Sequence, residues 1–282
     1  MVRVIVGRPT GFCSGVERAI RLARKGRAQF GPVWTLGELV HNPLVLATLA
    51  QEGIRTARSV REVRTGALVI SAHGCPPRVL ADCRRLGIQT IDATCPYVRK
   101  VQTVAQRLTE QGYTVVVVGD ARHPEVQGIL AYSGPGARVY SPRGHGPAER
   151  IGVVAQTTMA PERFHEAVAN LARVGYTELR VFDTICEEVK ARQRAAARIA
   201  HQADLVIVVG GRNSANTSRL AEIARAAGPR VVWVERGTEL KRSLLRGSRV
   251  IGIVAGSSTP SPVVKEILDI VRNRGGTGCR RL

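Results

Sequence analysis

Three cysteines hold matched places in this chain: Cys13, Cys95 and Cys186 precede Gly37, Gly119 and Gly210, each by the same 24 residues. A lone cysteine is most often a small core hydrophobe, and Cys83 and Cys279 read that way. Three at equivalent positions read better as ligands. Each is expected to open a helix, where the positive end of the macrodipole favours a thiolate, and three thiolates in symmetric positions need a cation between them. Structural zinc sites are usually closed by four ligands from tight Cys-x-x-Cys loops, and this sequence has none. An iron–sulfur cluster on three thiolates would leave one iron open to substrate. Spacing alone keeps both metals open.

Short polar side chains accompany the cysteines. Four residues beyond each glycine stand His41, His123 and Ser214, and Ser71-Ala72-His73-Gly74, Ala155-Gln156-Thr157-Thr158 and Ala255-Gly256-Ser257-Ser258 end a further set of apolar runs. With Asn216, the side chains of His41, His73, His123, Thr157, Ser214 and Ser258 are donors suited to phosphate oxygens. No Walker-type glycine loop is present, which argues against a nucleoside triphosphate. Glu125 follows His123-Pro124 and has two readings: a carboxyl that relays a proton in a cavity, or an acid that merely complements a helix N-terminus.

The elements that must position these residues follow from the apolar pattern. Val- and Ile-rich runs at 67–70, 115–118, 205–209 and 250–254 alternate with Arg- and Ala-rich helical stretches, the signature of α/β architecture with strands covered on both faces. Valine stands three residues after each cysteine (Val16, Val98, Val189), and Val98, Val101, Ala105 and Leu108 form a helical stripe. Upstream, Ile91-Asp92-Ala93-Thr94-Cys95 parallels Phe182-Asp183-Thr184-Ile185-Cys186. A chain repeated three times in this way predicts three α/β domains with mostly parallel sheets about a pseudo-threefold axis. Their expected bounds are 14–95, 96–185 and 186–282, with the N-terminal strand in 1–13 joining the third. Ligands of parallel sheets gather at the carboxyl ends of strands, so the cysteines and polar residues are expected to converge on one central cavity.

With 282 residues and 44% hydrophobic content the chain can bury a sizeable core. It contains no run near the roughly 20 apolar residues of a membrane span, and its first residues read as a strand rather than a signal peptide. A cytoplasmic protein is the expectation. The formal charge of +20 is spread, and only 4% of residues are aromatic, which argues against a nucleic-acid module. A basic surface would instead suit an acidic redox partner. No dinucleotide fingerprint is present, so neither a nicotinamide nor a flavin site is expected.

Gly11-Phe12-Cys13-Ser14-Gly15-Val16, Val40-His41-Asn42, Ser71-Ala72-His73-Gly74, Asp92-Ala93-Thr94-Cys95-Pro96, His123-Pro124-Glu125, Gln156-Thr157-Thr158, Asn213-Ser214-Ala215-Asn216 and Ala255-Gly256-Ser257-Ser258 resemble the 4-hydroxy-3-methylbut-2-enyl diphosphate reductase family over nearly the whole chain. The resemblance implies a trefoil of three α/β domains with a [4Fe–4S] cluster on Cys13, Cys95 and Cys186. It implies a diphosphate held by His41, His73, Ser214, Asn216 and Ser258, with His123 also lining the pocket. Glu125 with Thr157 would deliver the proton that lets the substrate hydroxyl leave as water. The implied products are isopentenyl and dimethylallyl diphosphate of the methylerythritol phosphate route, and an acidic ferredoxin or flavodoxin as electron donor suits the basic charge of the chain. Ala215 stands where the family usually has a second serine, and Val189 where it has threonine. Glu187 and Glu188, Cys75 after His73-Gly74, and Arg122 before His123 are further departures. They allow, as an alternative, a paralogue acting on another phosphorylated or hydroxylated small molecule.

Overall fold

Runs such as Leu205–Val209, buried along their whole length, have no polar face to offer water, so they become central strands with helices on both sides. The computed structural model describes residues 2–142, 148–173, 175–273 and 277–281, the last stretch as backbone alone, and the Cys279 side chain lies outside the described residues. The first elements are β1 (Val2–Val6), α1 (Ser14–Phe30), β2 (Val33–Leu36), α2 (Pro43–Gln51), β3 (Ile54–Ala57), β4 (Ala67–Ile70), α3 (Pro77–Arg85) and β5 (Gln89–Asp92). The middle of the chain forms α4 (Pro96–Glu110), β6 (Thr114–Val118), α5 (Pro124–Ser133), β7 (Arg138–Val139), β8 (Arg150–Ala155), α6 (Pro161–Leu171) and β9 (Glu178–Phe182). Then follow α7 (Glu187–Ala200), β10 (Leu205–Val209), α8 (Ala215–Ala226), β11 (Arg230–Val234), β12 (Val250–Ala255), α9 (Ser261–Arg272) and β13 (Thr277–Arg281).

The strands form three parallel sheets of matching order, β3-β2-β4-β5, β7-β6-β8-β9 and β11-β10-β12-β1-β13. The threefold repeat of the sequence is thus a threefold repeat of architecture. β1 comes from the chain start, yet it pairs with β12, Val4 opposite Ile251, in the place that β5 and β9 hold in the other sheets. β13 adds a strand outside β1, Cys279 opposite Val4, which the internal similarity did not foretell because the other copies have no counterpart. The fold divides into two compact units. One contains Met1–Val16, Val40–Thr48 and Glu187–Leu282, the other Glu17–Leu39 and Leu49–Cys186. The five-stranded sheet belongs to the first and both four-stranded sheets to the second.

Helix and sheet meet through a small-to-large fit that changes sides between the copies. A Cβ at Gly152 on β8 would fall 2.8 Å from Leu108 of α4, and one at Gly252 on β12 would fall 2.2 Å from Ile199 of α7. In the remaining copy the glycine is on the helix: a Cβ at Gly26 of α1 would fall 2.2 Å from Ile91 of β5. Each contact lets a helix lie close on its sheet, and each has one partner reduced to hydrogen. Gly252→Ala should therefore cost about 1–3 kcal/mol by overpacking, read as a lower urea midpoint with unchanged slope; an unchanged midpoint would mean that α7 can move away freely.

Candidate functional site

The three cysteines occupy one local structure repeated three times. Cys13 directly precedes α1, Cys95 is the N-cap of α4, and Cys186 directly precedes α7. Pro96, with its fixed φ and no N–H to lose, starts α4 at the position proline suits best. The backbone N–H of each cysteine donates to the loop after the neighbouring strand: Cys13 to Ser257 O, Cys95 to Ala72 O and Cys186 to Thr157 O, all at 2.9 Å. The Val16 N–H donates to Cys13 Sγ at 3.4 Å, as the first turn of a helix favours. Cys13, Cys95 and Cys186 form no disulfide. The described residues contain no group of three or more His, Cys, Asp and Glu that could hold a metal ion. The fit to a cluster lies in donor chemistry: three soft thiols, each at the positive end of a helix and each with its backbone fixed in the same way.

In the unit that contains β1, short polar residues are tied loop to loop. Ser258 Oγ donates to His41 O at 3.0 Å, and Asn42 Nδ2 donates back to Ser258 O at 2.9 Å. Asn42 Oδ1 also accepts from Leu44 N and Val45 N, which starts α2. Gly211 makes this packing possible, since a Cβ there would fall 2.8 Å from His41 O. Ser214 caps α8, its Oγ accepting from Thr217 N at 3.3 Å. Asn216, in the first turn of α8, is 2% exposed, and neither its Nδ2 nor its Oδ1 has a hydrogen-bond partner among the described residues. A buried amide left unsatisfied costs free energy, and a ligand supplying polar oxygens at a helix N-terminus would remove that cost.

The Cys13 loop of this unit is held by Arg192, whose guanidinium is buried and donates to Pro9 O at 3.0 Å, Gly11 O at 2.9 Å and Ala255 O at 3.1 Å. Sequence reading gave Arg192 no such role. The available signal was a charge on the buried stripe of α7, among Val189, Gln193, Ala196 and Ile199. Glu188 accepts from the amide and hydroxyl of Ser14 at the start of α1, which puts its carboxylate beside Cys13, while Glu187 faces solvent and pairs with Lys190 at 3.0 Å.

The other unit carries the titratable part. Glu125, second residue of α5, is 2% exposed and turns inward. Thr157 donates to it twice, N to Oε1 at 2.6 Å and Oγ1 to Oε2 at 2.8 Å. Burial pushes the carboxyl up to about 7, and the two Thr157 bonds oppose that rise without cancelling it. A solvated acid complementing the helix dipole would have neither the burial nor these partners. His123 caps α5, its Nδ1 accepting from Glu125 N at 3.2 Å, and this bond leaves Nε2 as the protonated nitrogen. The His73 ring stands edge-on to it, centroids 6.5 Å apart. Cys95 has its own clamp: Arg99 bonds Asp92 and Tyr132, and Arg18 donates to Thr94 O at 3.1 Å. Two departures from the family pattern add no side chain to this set. Cys75 is packed in a core with Cys83, Leu68 and Ile70, where burial raises its thiol to about 12, and Arg122 extends into solvent, its side chain 95% exposed.

A family model described as LytB protein matches residues 4–272. A 4-hydroxy-3-methylbut-2-enyl diphosphate reductase of Citrifermentans bemidjiense is 41% identical over 95% of this chain and 96% of its own. The enzyme of the same name from Pelobacter propionicus is 39% identical over 95% and 96%. A solved structure of (E)-4-hydroxy-3-methyl-but-2-enyl diphosphate reductase, described as the terminal enzyme of the non-mevalonate pathway, superposes with a TM-score of 0.71 at 34% identity, covering 97% of this chain and all of that one. The corresponding reductase of Plasmodium falciparum superposes at 0.92 over 100% of this chain and 91% of that one, at 24% identity, a likeness of fold.

Proposed function

The chain belongs to the LytB protein family, and from this we propose that it reduces 4-hydroxy-3-methylbut-2-enyl diphosphate, with loss of the hydroxyl as water, to isopentenyl and dimethylallyl diphosphate. The reaction takes up two electrons and two protons. A [4Fe–4S] cluster on Cys13, Cys95 and Cys186 would supply the electrons and a Lewis-acidic iron for the leaving oxygen. Among the described residues no helix is long and apolar enough to cross a membrane. The enzyme would work in the cytoplasm, as three domains bounded at 14–95, 96–185 and 186–282 with 1–13.

One observation carries the reading. Thr157 donates twice to Glu125 and accepts the amide of Cys186, so a carboxyl whose pKa is pushed up to about 7 stands one residue from a cluster ligand. A group with its pKa near the working pH is what general acid catalysis needs. Glu125 gives the proton through or beside Thr157 Oγ1, and His123 is a further donor at the same helix start. His41, His73, Ser214, Asn216 and Ser258 bind the diphosphate, whose charge suits helix N-termini and neutral or cationic imidazoles. The testing experiment is anaerobic turnover of the diphosphate with a reduced viologen dye. A brown protein that consumes no substrate would refute the assignment.

Asn216 gives a sharper outcome. Asn216→Ala should raise KM about 10- to 100-fold, the value of a hydrogen bond to a charged oxygen, while the protein without substrate keeps or gains stability because an unsatisfied amide has been removed. Ala215 beside it is exposed, and Ala215→Ser, restoring the usual hydroxyl, should lower KM by roughly 2- to 10-fold. A KM unmoved by both changes would show that the start of α8 does not touch the diphosphate.

A further inference from the structure

In the unit that contains β1, Arg8, Ala191, Arg194, Ala197 and Arg198 line a groove of about 430 Å³. Its floor is two alanine methyls from α7, and its rim is three exposed guanidinium groups, one of which reaches Glu187 at 4.0 Å. Arg192 projects from the opposite, buried face of the same helix to hold Pro9 O and Gly11 O. One wall of the groove is therefore the start of the loop that leads from Arg8 to Cys13, and its other wall is the helix that follows Cys186. Both are anchored by the same arginine.

We propose that this groove is where a small acidic electron-carrying protein docks to deliver the two electrons of the reaction. The inference rests on the reductase reading, because an enzyme that consumes electrons must receive them from outside. The reduced partner is oxidised by two electrons in all, and substrate takes them up with two protons as its C–O bond breaks and water leaves. A rim of arginines on a chain of net charge +20 attracts carboxylates, and complementary potentials of this kind raise the encounter rate. The alanine floor admits the stem of an acidic side chain but offers nothing for a base to stack on, which disfavours single-stranded nucleic acid as the occupant. The groove seats few side chains, as small transient redox interfaces do.

The test compares two electron sources on the anaerobically purified holoenzyme: a reduced viologen dye, which needs no docking surface, and a reduced flavodoxin, which is acidic. Arg8→Glu and Arg198→Glu, singly and together, should leave dye-driven turnover within about twofold of the parent while raising KM for flavodoxin by about tenfold or more. Raising salt should increase the parent's KM for flavodoxin and change that of the double variant less. The docking proposal is overturned if flavodoxin KM is unchanged, if flavodoxin supports no turnover in the parent, or if dye and flavodoxin rates fall together. A parent that fails with the dye as well overturns the reductase reading first, and the docking site with it.

Discussion

Replacing Cys95 with alanine will give a folded, colourless protein in which the iron of the anaerobic preparation falls from about four atoms per chain towards none. Turnover should drop by more than the roughly 10- to 100-fold that loss of an outer-shell partner costs a metal site. Cys95 caps α4 without any side-chain hydrogen bond to the helix, so alanine removes a ligand and leaves the helix start intact. Cys83→Ala is the matching control. Cys83 is completely buried beside Leu68 and Ile70, so its loss leaves a small cavity and should lower stability while iron and colour persist. Iron retained at parental level in the Cys95 variant would remove this thiol from the ligand set.

Glu125→Gln has the other large effect. An amide preserves shape and most of the contact with Thr157 but has no proton to give, and the loss of a positioned general acid typically costs 10²- to 10⁴-fold in rate. Because the carboxyl is pushed up to about 7, the parent's kcat should fall as pH rises through that value. The variant's residual rate should lack that limb. Stability carries the same signature. The carboxyl binds its proton more tightly in the folded chain than in the unfolded one, where the ordinary value is 4.5, so its contribution is fully present below about 4.5 and is lost as pH rises through about 7. The difference is roughly 3 kcal/mol. The parent should therefore lose stability between pH 5 and pH 8 by denaturant titration, and Glu125→Gln should be flatter across that range. Parallel curves for both proteins would show that the carboxyl is not buried as an acid.

Much of this architecture was legible in the sequence because repetition leaves a spacing. The 24-residue interval from cysteine to glycine holds whichever helix and strand fill it, and β1, α4, β4 and β10 fall where the apolar periodicity placed them. Histidines and hydroxyls at strand ends were legible for the same reason, since the backbone of a parallel sheet fixes which end of a strand carries the loop. Less was legible where the decisive contact joins distant residues. That Arg192 holds the carbonyls of Pro9 and Gly11 has no local signal beyond a charge on an apolar stripe. The switch of the packing glycine from β8 and β12 to α1 cannot be read from any one segment, because each glycine is explained by its partner.

The sequence by itself determined the element types, the threefold repeat, and the residue classes at each strand end, since these depend on periodicity and local propensity. Tertiary structure alone decided the state of each group. Glu125 is an acid held near neutrality because burial and Thr157, 32 residues away in the chain, act on it together. Asn216 has buried polar atoms with no partner among the described residues, and Cys75 is an inert core thiol. Desolvation is a property of the surroundings brought in by folding, and no neighbour in sequence can report it.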